Sequence, residues 1–98
     1  MPVFLKVHSF PEGKVVALCD KDILGKRFEE KELVLDIDND FYEGKEASKE
    51  EICRALSECA SAIIAGNEAV GIALECNAVS EVGVKEVCGI KYALLFRI

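Results

Sequence analysis

The sequence predicts an α+β fold: a mixed, mainly antiparallel sheet with two principal helices packed on one face. Three observations point there. Short apolar runs of strand length stand near both ends of the 98-residue chain. Between them, residues 48–79 (SKEEICRALSECASAIIAGNEAVGIALECNAV) carry the start signals, stop signals and apolar spacing of two consecutive amphipathic helices. Strands that precede and follow a helical pair place the helices together on a sheet, unlike the strand–helix alternation of a parallel α/β fold.

Taken in order, residues 3–9 and 14–19 are apolar runs on either side of Phe10-Pro11-Glu12-Gly13. Proline pre-sets φ for a turn and glycine supplies a positive φ, so the pair is a β-hairpin. A turn centred on Glu12 sets Leu5 opposite Cys19 and Val7 opposite Ala17. One face then carries Val3, Leu5, Val7, Val15, Ala17 and Cys19, and is the core face. The other carries Phe4, Lys6, His8, Val16 and Leu18. It is too apolar for plain solvent and needs a cover: another strand, a later loop or a second subunit.

Residues 20–28 begin with the capping residue Asp20 and place Ile23 and Leu24 before Gly25, which suits one helical turn closed by a left-handed glycine. Residues 32–38 alternate, with Leu33, Leu35 and Ile37 on one side and Val34, Asp36 and Asp38 on the other, as in a half-buried strand. Residues 39–47 read as an acidic loop carrying Phe41, Tyr42 and Gly44.

Ser48, with Glu51 three residues on, forms a capping box. From there Ile52, Ala55, Leu56, Cys59, Ile63 and Ile64 make one helical stripe that Gly66 closes. Asn67 caps a second helix over residues 68–76, whose Ala69, Val70, Ile72, Ala73 and Leu74 cover most of its circumference. Asn77 suits a left-handed stop. After a loop at 81–83 the chain closes with residues 85–98. Positions 92–98 are apolar at six of seven, the composition of a strand covered on both faces.

A chain of this length forms one domain, residues 1–98, burying roughly 60–65% of its unfolded surface. The net charge of −6 argues against a general phosphate-backbone binder, which depends on Lys and Arg. The first residues have neither the basic nor the apolar part of a signal peptide, and the longest uncharged run, 59–67, is too short to cross a bilayer. The expectation is a cytoplasmic protein without membrane contact. Cys19, Cys53, Cys59, Cys76 and Cys88 are odd in number and hold no C-x-x-C pair, so they read as reduced, mostly buried thiols with no disulfide framework and no zinc. Cys53 and Cys59 stand about 240° apart around a helix and do not face one another.

The chain offers little candidate chemistry. Asp36-x-Asp38-x-Asp40 fails as an EF-hand loop, which needs glycine sixth and glutamate twelfth. Counting from Asp36 those places hold Phe41 and Ala47, and from Asp38 they hold Glu43 and Lys49. His8 and Cys19 point to opposite faces of the hairpin in the register above, so they form no thiol dyad. Lys21, Lys26, Arg27 and Lys31 concentrate positive charge near Phe28, but Glu29, Glu30 and Glu32 interleave with them. Gly66-Asn67-Glu68 opens a helix without the glycine spacing of a nucleotide site. No catalytic residue, metal site or cofactor follows.

The order G-K-x-F (Gly25, Lys26, Phe28), then LVLDIDNDFYEG (residues 33–44), then IIAGNEAVGIALECNAV (residues 63–79) resembles an archaeal family, domain of unknown function 424. The resemblance implies a small archaeal cytoplasmic protein and assigns no activity. Members of that family tend to carry Gly-Val-Pro-His-Ala near the C-terminus, where this chain has Gly89-Ile90-Lys91-Tyr92-Ala93, so a site built on that histidine would be missing here.

The leading functional expectation is a non-catalytic interaction or accessory module that binds itself, as a homodimer, or a protein partner. Its candidate contacts are Lys26, Arg27, Phe28, Asp40, Phe41, Tyr42 and Tyr92, on the loops that flank the helical region. One alternative is an RNA- or ribosome-associated translation factor using Lys26, Arg27 and Lys31. Another is a small enzyme with a site in the acidic loop.

Overall fold

The opening hairpin turns on two residues, and that detail decides the faces of the sheet. In the computed structural model, which describes residues 2–97, strands β1 (Val3–Phe10) and β2 (Gly13–Asp20) pair with Phe10 opposite Gly13. Gly13 takes φ +141°, which a residue with a Cβ rarely adopts. Leu5 therefore faces Leu18 and Val7 faces Val16, one residue away from the expected register. A slip of one residue exchanges the faces of a strand. Val16 and Leu18, not Ala17 and Cys19, join Val3 and Leu5 in the core beneath the helices.

The chain continues through a 3-10 turn (Lys21–Ile23), β3 (Arg27–Glu30), β4 (Leu33–Asp36), α1 (Asn39–Tyr42), β5 (Lys45–Glu46) and α2 (Lys49–Glu58). There follow β6 (Ser61–Ala65), α3 (Asn67–Glu75), a second 3-10 turn (Glu81–Gly83), β7 (Lys85–Val87) and β8 (Ile90–Phe96). Six strands form the main sheet in the order β5-β1-β2-β6-β8-β7, and β3 and β4 form a separate hairpin. All neighbours are antiparallel except β2 and β6, so the sheet is mixed and mainly antiparallel.

The capping box of α2 is present in full: Glu51 N–H donates to Ser48 Oγ at 3.1 Å, and Ser48 N–H donates to Glu51 Oε1 at 3.0 Å. The helix is shorter than its apolar stripe suggested. It stops at Glu58, Cys59 turns extended, and residues 61–65 are a central strand. Two consecutive helices are thus a helix, a strand and a helix. Residues 60–65 have no charged face to hold an amphipathic helix in water, and Ile63 and Ile64 are β-branched. Placed between β2 and β8, the segment buries Ala62, Ile64 and Ala65. Gly66, not Asn67, is the N-cap position of α3, and Asn77 is left-handed at φ +61°.

Helices α2 and α3 pack on one face of the sheet, where Ile52, Leu56 and Val70 meet Val3, Leu5, Leu18 and Ile64. The opposite face carries a second core. There Ala17, Cys19 and Ala65 lie under Ile23, Leu35, Ile37 and Tyr42, supplied by the segment between β2 and β5. The cover that the mixed hairpin face required is therefore this chain's own later loop, together with the β3–β4 hairpin. The expected acidic loop holds the short helix α1, with Asp38 accepting from Phe41 N–H at 3.2 Å, and β5 on the edge of the sheet. The last strand is not covered on both faces: Leu94 is 52% exposed and Phe96 73%.

Cys53 of α2 and Cys76, just past α3, are joined as a disulfide with their Cα atoms 5.7 Å apart. The two helices share a sheet face, which brings together cysteines that local spacing cannot relate. Cys19 and Cys59 are buried thiols and Cys88 is an exposed one. Among the described residues no helix is long and apolar enough to cross a membrane.

Candidate interaction surface

Strand register builds two rows of side chains across the face that carries the second core. One runs Lys6–Ala17–Ile63–Leu94 and the next His8–Val15–Ser61–Phe96. The first is half under the cover: Ala17 is fully buried, Ile63 packs against the second core, and Leu94 is exposed. The second lies beyond it. The cover ends at His8, whose ring stacks on Phe41 with centroids 4.6 Å apart and whose Nε2 lies 2.9 Å from the Phe41 carbonyl oxygen. Val15, Ile63, Leu94 and Phe96 thus form an apolar strip across three adjacent strands, open to solvent at its β8 end.

The residues singled out from the sequence fall into two groups. Phe28, Phe41, Tyr42 and Tyr92 come together around the second core, with Tyr42 only 5% exposed. They help hold the β3–β4 hairpin and α1 to the sheet, with Phe28, Phe41 and Tyr92 half-buried. Lys26, Arg27 and Asp40 are exposed, and Arg27 reaches Glu29 across 3.6 Å. The structure does not gather the seven into one patch. The strip at Leu94 and Phe96 is not among the expected contacts because residues 92–98 read as a strand covered on both faces. The signal that could have found it is the four-residue run 93–96, free of charge and of proline, in a strand close to a sheet edge.

Groups with reactive potential are committed elsewhere. Asp20 is buried, and its carboxylate accepts from Glu68 N–H at 3.1 Å and Ala69 N–H at 2.8 Å, so it occupies the N-terminus of α3. Burial pushes its carboxyl above the usual range, against the pull of those two donors. The corrected register sets His8 and Cys19 on one face, yet they are four positions apart along the ladder, since Phe4 is opposite Cys19 and His8 opposite Val15. That is about 13 Å at strand spacing, too far for proton transfer. Burial, reinforced by the charge of Asp20, also pushes the Cys19 thiol up to about 12. It stays protonated and unreactive at neutral pH.

A family model described as "Protein of unknown function (DUF424)" matches residues 7–98. Among solved structures, the chain is similar to the crystal structure of an uncharacterized conserved protein from Methanopyrus kandleri, at 25% identity and a TM-score of 0.79. The match covers 100% of this chain and 96% of that one. No curated protein matches it.

Proposed function

The chain belongs to the DUF424 family, and from the shape of its sheet we propose that it works as a non-catalytic interaction module. It binds a second copy of itself or another protein through the uncovered end of the sheet. The observation that carries this is the strip Val15–Ile63–Leu94–Phe96, left open on a face whose other end the chain closes with its own residues. An apolar patch in that setting marks a contact surface more often than a solvated one. The commitment of Asp20 to α3, of His8 to Phe41 and of Cys19 to the second core supports binding over chemistry.

The test is a comparison of what immobilised chain retains from native lysate, with added untagged chain, before and after Leu94→Glu and Phe96→Glu. Both positions are exposed, so the variants keep the wild-type circular dichroism. Retention of a defined protein or of the untagged chain by the wild type, lost in both variants, is the expected result. Equal retention by all three forms, or none by any, removes the reading.

A further inference from the structure

The uncovered strip ends at an unpaired strand edge, and the hydrogen-bond pattern there is specific. Arg97 N–H donates to the Ala60 carbonyl at 2.9 Å, and Gly66 N–H donates to the Lys91 carbonyl at 2.8 Å. Odd-numbered residues of β8 therefore point their backbone groups at β6, and even-numbered ones point away from it. The first even-numbered residues, Ile90 and Tyr92, pair with Val87 and Lys85 of β7. Beyond Tyr92, β7 ends. Leu94 and Phe96 are left with N–H and C=O directed outward, and no hydrogen bond among the described residues reaches them.

The two edges of the sheet are treated differently. On the far side, β5 pairs with β1 at Phe4 and Leu5, and the rest of β1 carries Lys6 and His8 before Pro11. Charge and proline are the usual means by which an edge is kept from pairing with another chain. The segment 93–96, Ala-Leu-Leu-Phe, has neither.

We infer that this edge pairs with the same edge of a second copy of the chain. The strands run antiparallel about a two-fold axis, with Leu95 opposite Leu95. This rests on the interaction reading above and names its partner. An axis perpendicular to the sheet keeps each face on its own side, so only residues of like parity stand opposite one another. With Leu95 on the axis, Leu94 meets Phe96 of the second copy. Leu94 N–H donates to the carbonyl of that Phe96, the Leu94 carbonyl accepts from its N–H, and the symmetry repeats the exchange. Every outward group of Leu94 and Phe96 is then satisfied. With Leu94 on the axis instead, Phe96 would face Tyr92, whose backbone β7 already holds.

The side chains agree with that register. Leu94 and Phe96 share the face of the open strip, so pairing gathers both residues from both copies into one apolar cluster, continuous with Ile63 and Val15. Residues 93–96 carry no charge of their own, so pairing them sets no carboxylate directly opposite another. The ladder is short, which places the contact among small, reversible interfaces.

The experiment is sedimentation of the pure, full chain from micromolar to millimolar concentration, with amide exchange followed by NMR. The wild type is expected to dimerise with concentration, and the Leu94 and Phe96 amides to exchange more slowly as it does. Leu94→Pro removes one outward N–H that takes no part in pairing with β6, and Phe96→Lys places a charge at an exposed site. Each is expected to weaken the dimer by about tenfold or more. Leu94→Pro could disturb the strand, so the deciding variant is Phe96→Lys, which leaves the backbone donors in place. A wild type that stays monomeric at millimolar concentration overturns the inference. So does a dimer unaffected by Phe96→Lys, or one in which the Leu94 and Phe96 amides exchange as fast as in the monomer. None of these outcomes touches a lysate protein retained through Leu94 and Phe96, so the broader reading stands or falls on its own experiment.

Discussion

Asp20 and Ala69 are remote in sequence and joined in the fold: the Asp20 carboxylate at the end of β2 accepts the Ala69 N–H at 2.8 Å. It does for α3 what an N-cap residue does for its own helix, satisfying donors of the first turn and placing negative charge at the positive end of the dipole. Gly66 is what lets it approach. A Cβ at that position would lie 2.3 Å from Asp20 Cγ, and φ there is +112°.

Asp20→Ala should therefore cost about 1–3 kcal/mol, the range for losing a charged cap that leaves buried donors unmet. Gly66→Ala should be destabilising too, through both the clash and the backbone. In the Asp20→Ala background the clash is gone and only the backbone strain remains, so Gly66→Ala should cost less there. A double-mutant cycle by urea unfolding measures this. Strict additivity would show that the two residues do not meet as described.

Cys19 and Tyr42 make stability fall on the alkaline side. Burial raises the Cys19 thiol from 9.0 to about 12, with the charge of Asp20 adding to it. Burial likewise raises the Tyr42 hydroxyl from 10.0 to about 12, with smaller contributions from Cys19 and Asp36. In each case the folded chain holds its proton after the unfolded chain has released it. The stabilisation is whole below the unfolded value and is lost as pH climbs towards 12. The urea midpoint should drop between pH 9 and pH 12. Tyr42→Phe, which cannot ionise, should gain on the wild type only above about pH 10. A constant difference between the two across that window would contradict the burial of Tyr42.

The Cys53–Cys76 disulfide closes a loop with a sequence separation of 23. On chain-entropy grounds a loop of that length contributes about 3 kcal/mol. Reductant should lower the urea midpoint of the wild type accordingly and leave Cys53→Ser unchanged. In the native oxidised chain a thiol reagent should titrate Cys88 and spare Cys19 and Cys59, which are buried. Reaction of Cys53 and Cys76 in the untreated protein would show that the bond is not formed in solution.

What was legible in the sequence is what local chemistry decides. Ser48 and Glu51 specify a helix start by themselves, Asn77 tolerates a left-handed backbone, and the overall class follows from where strands and helices fall. The hairpin register was not legible because residues 15–19 are apolar at every position, leaving no alternation to say which side faces in. Residues 60–65 are ambiguous for the same reason: a short apolar run suits a buried strand as well as the end of a helix. Phe28, Phe41 and Tyr42 sit among charges and read as surface contacts; only long-range packing, of α1 on β1 and β2 and of the β3–β4 hairpin on β7, turns them inward. The open strip at Leu94 and Phe96 depends on where that cover stops, which no local pattern records.

Arg97 closes the far end of α2. Its Nη1 donates to the carbonyls of Leu56 and Cys59 at 2.6 and 2.8 Å, groups left open because the chain turns extended at Cys59 and enters β6. A cation at a helix C-terminus satisfies terminal carbonyls and complements the dipole together. Arg97→Met keeps most of the aliphatic stem and removes the donors, so its cost isolates the hydrogen bonds. That cost should be about 1–3 kcal/mol by urea unfolding. Arg97→Lys should recover part of it through charge, but not all, because a single ammonium lacks the guanidinium's fixed geometry. Faster amide exchange in the last turn of α2 should accompany the loss in Arg97→Met. A Met variant that unfolds at the wild-type urea concentration would mean that solvent satisfies those carbonyls equally well.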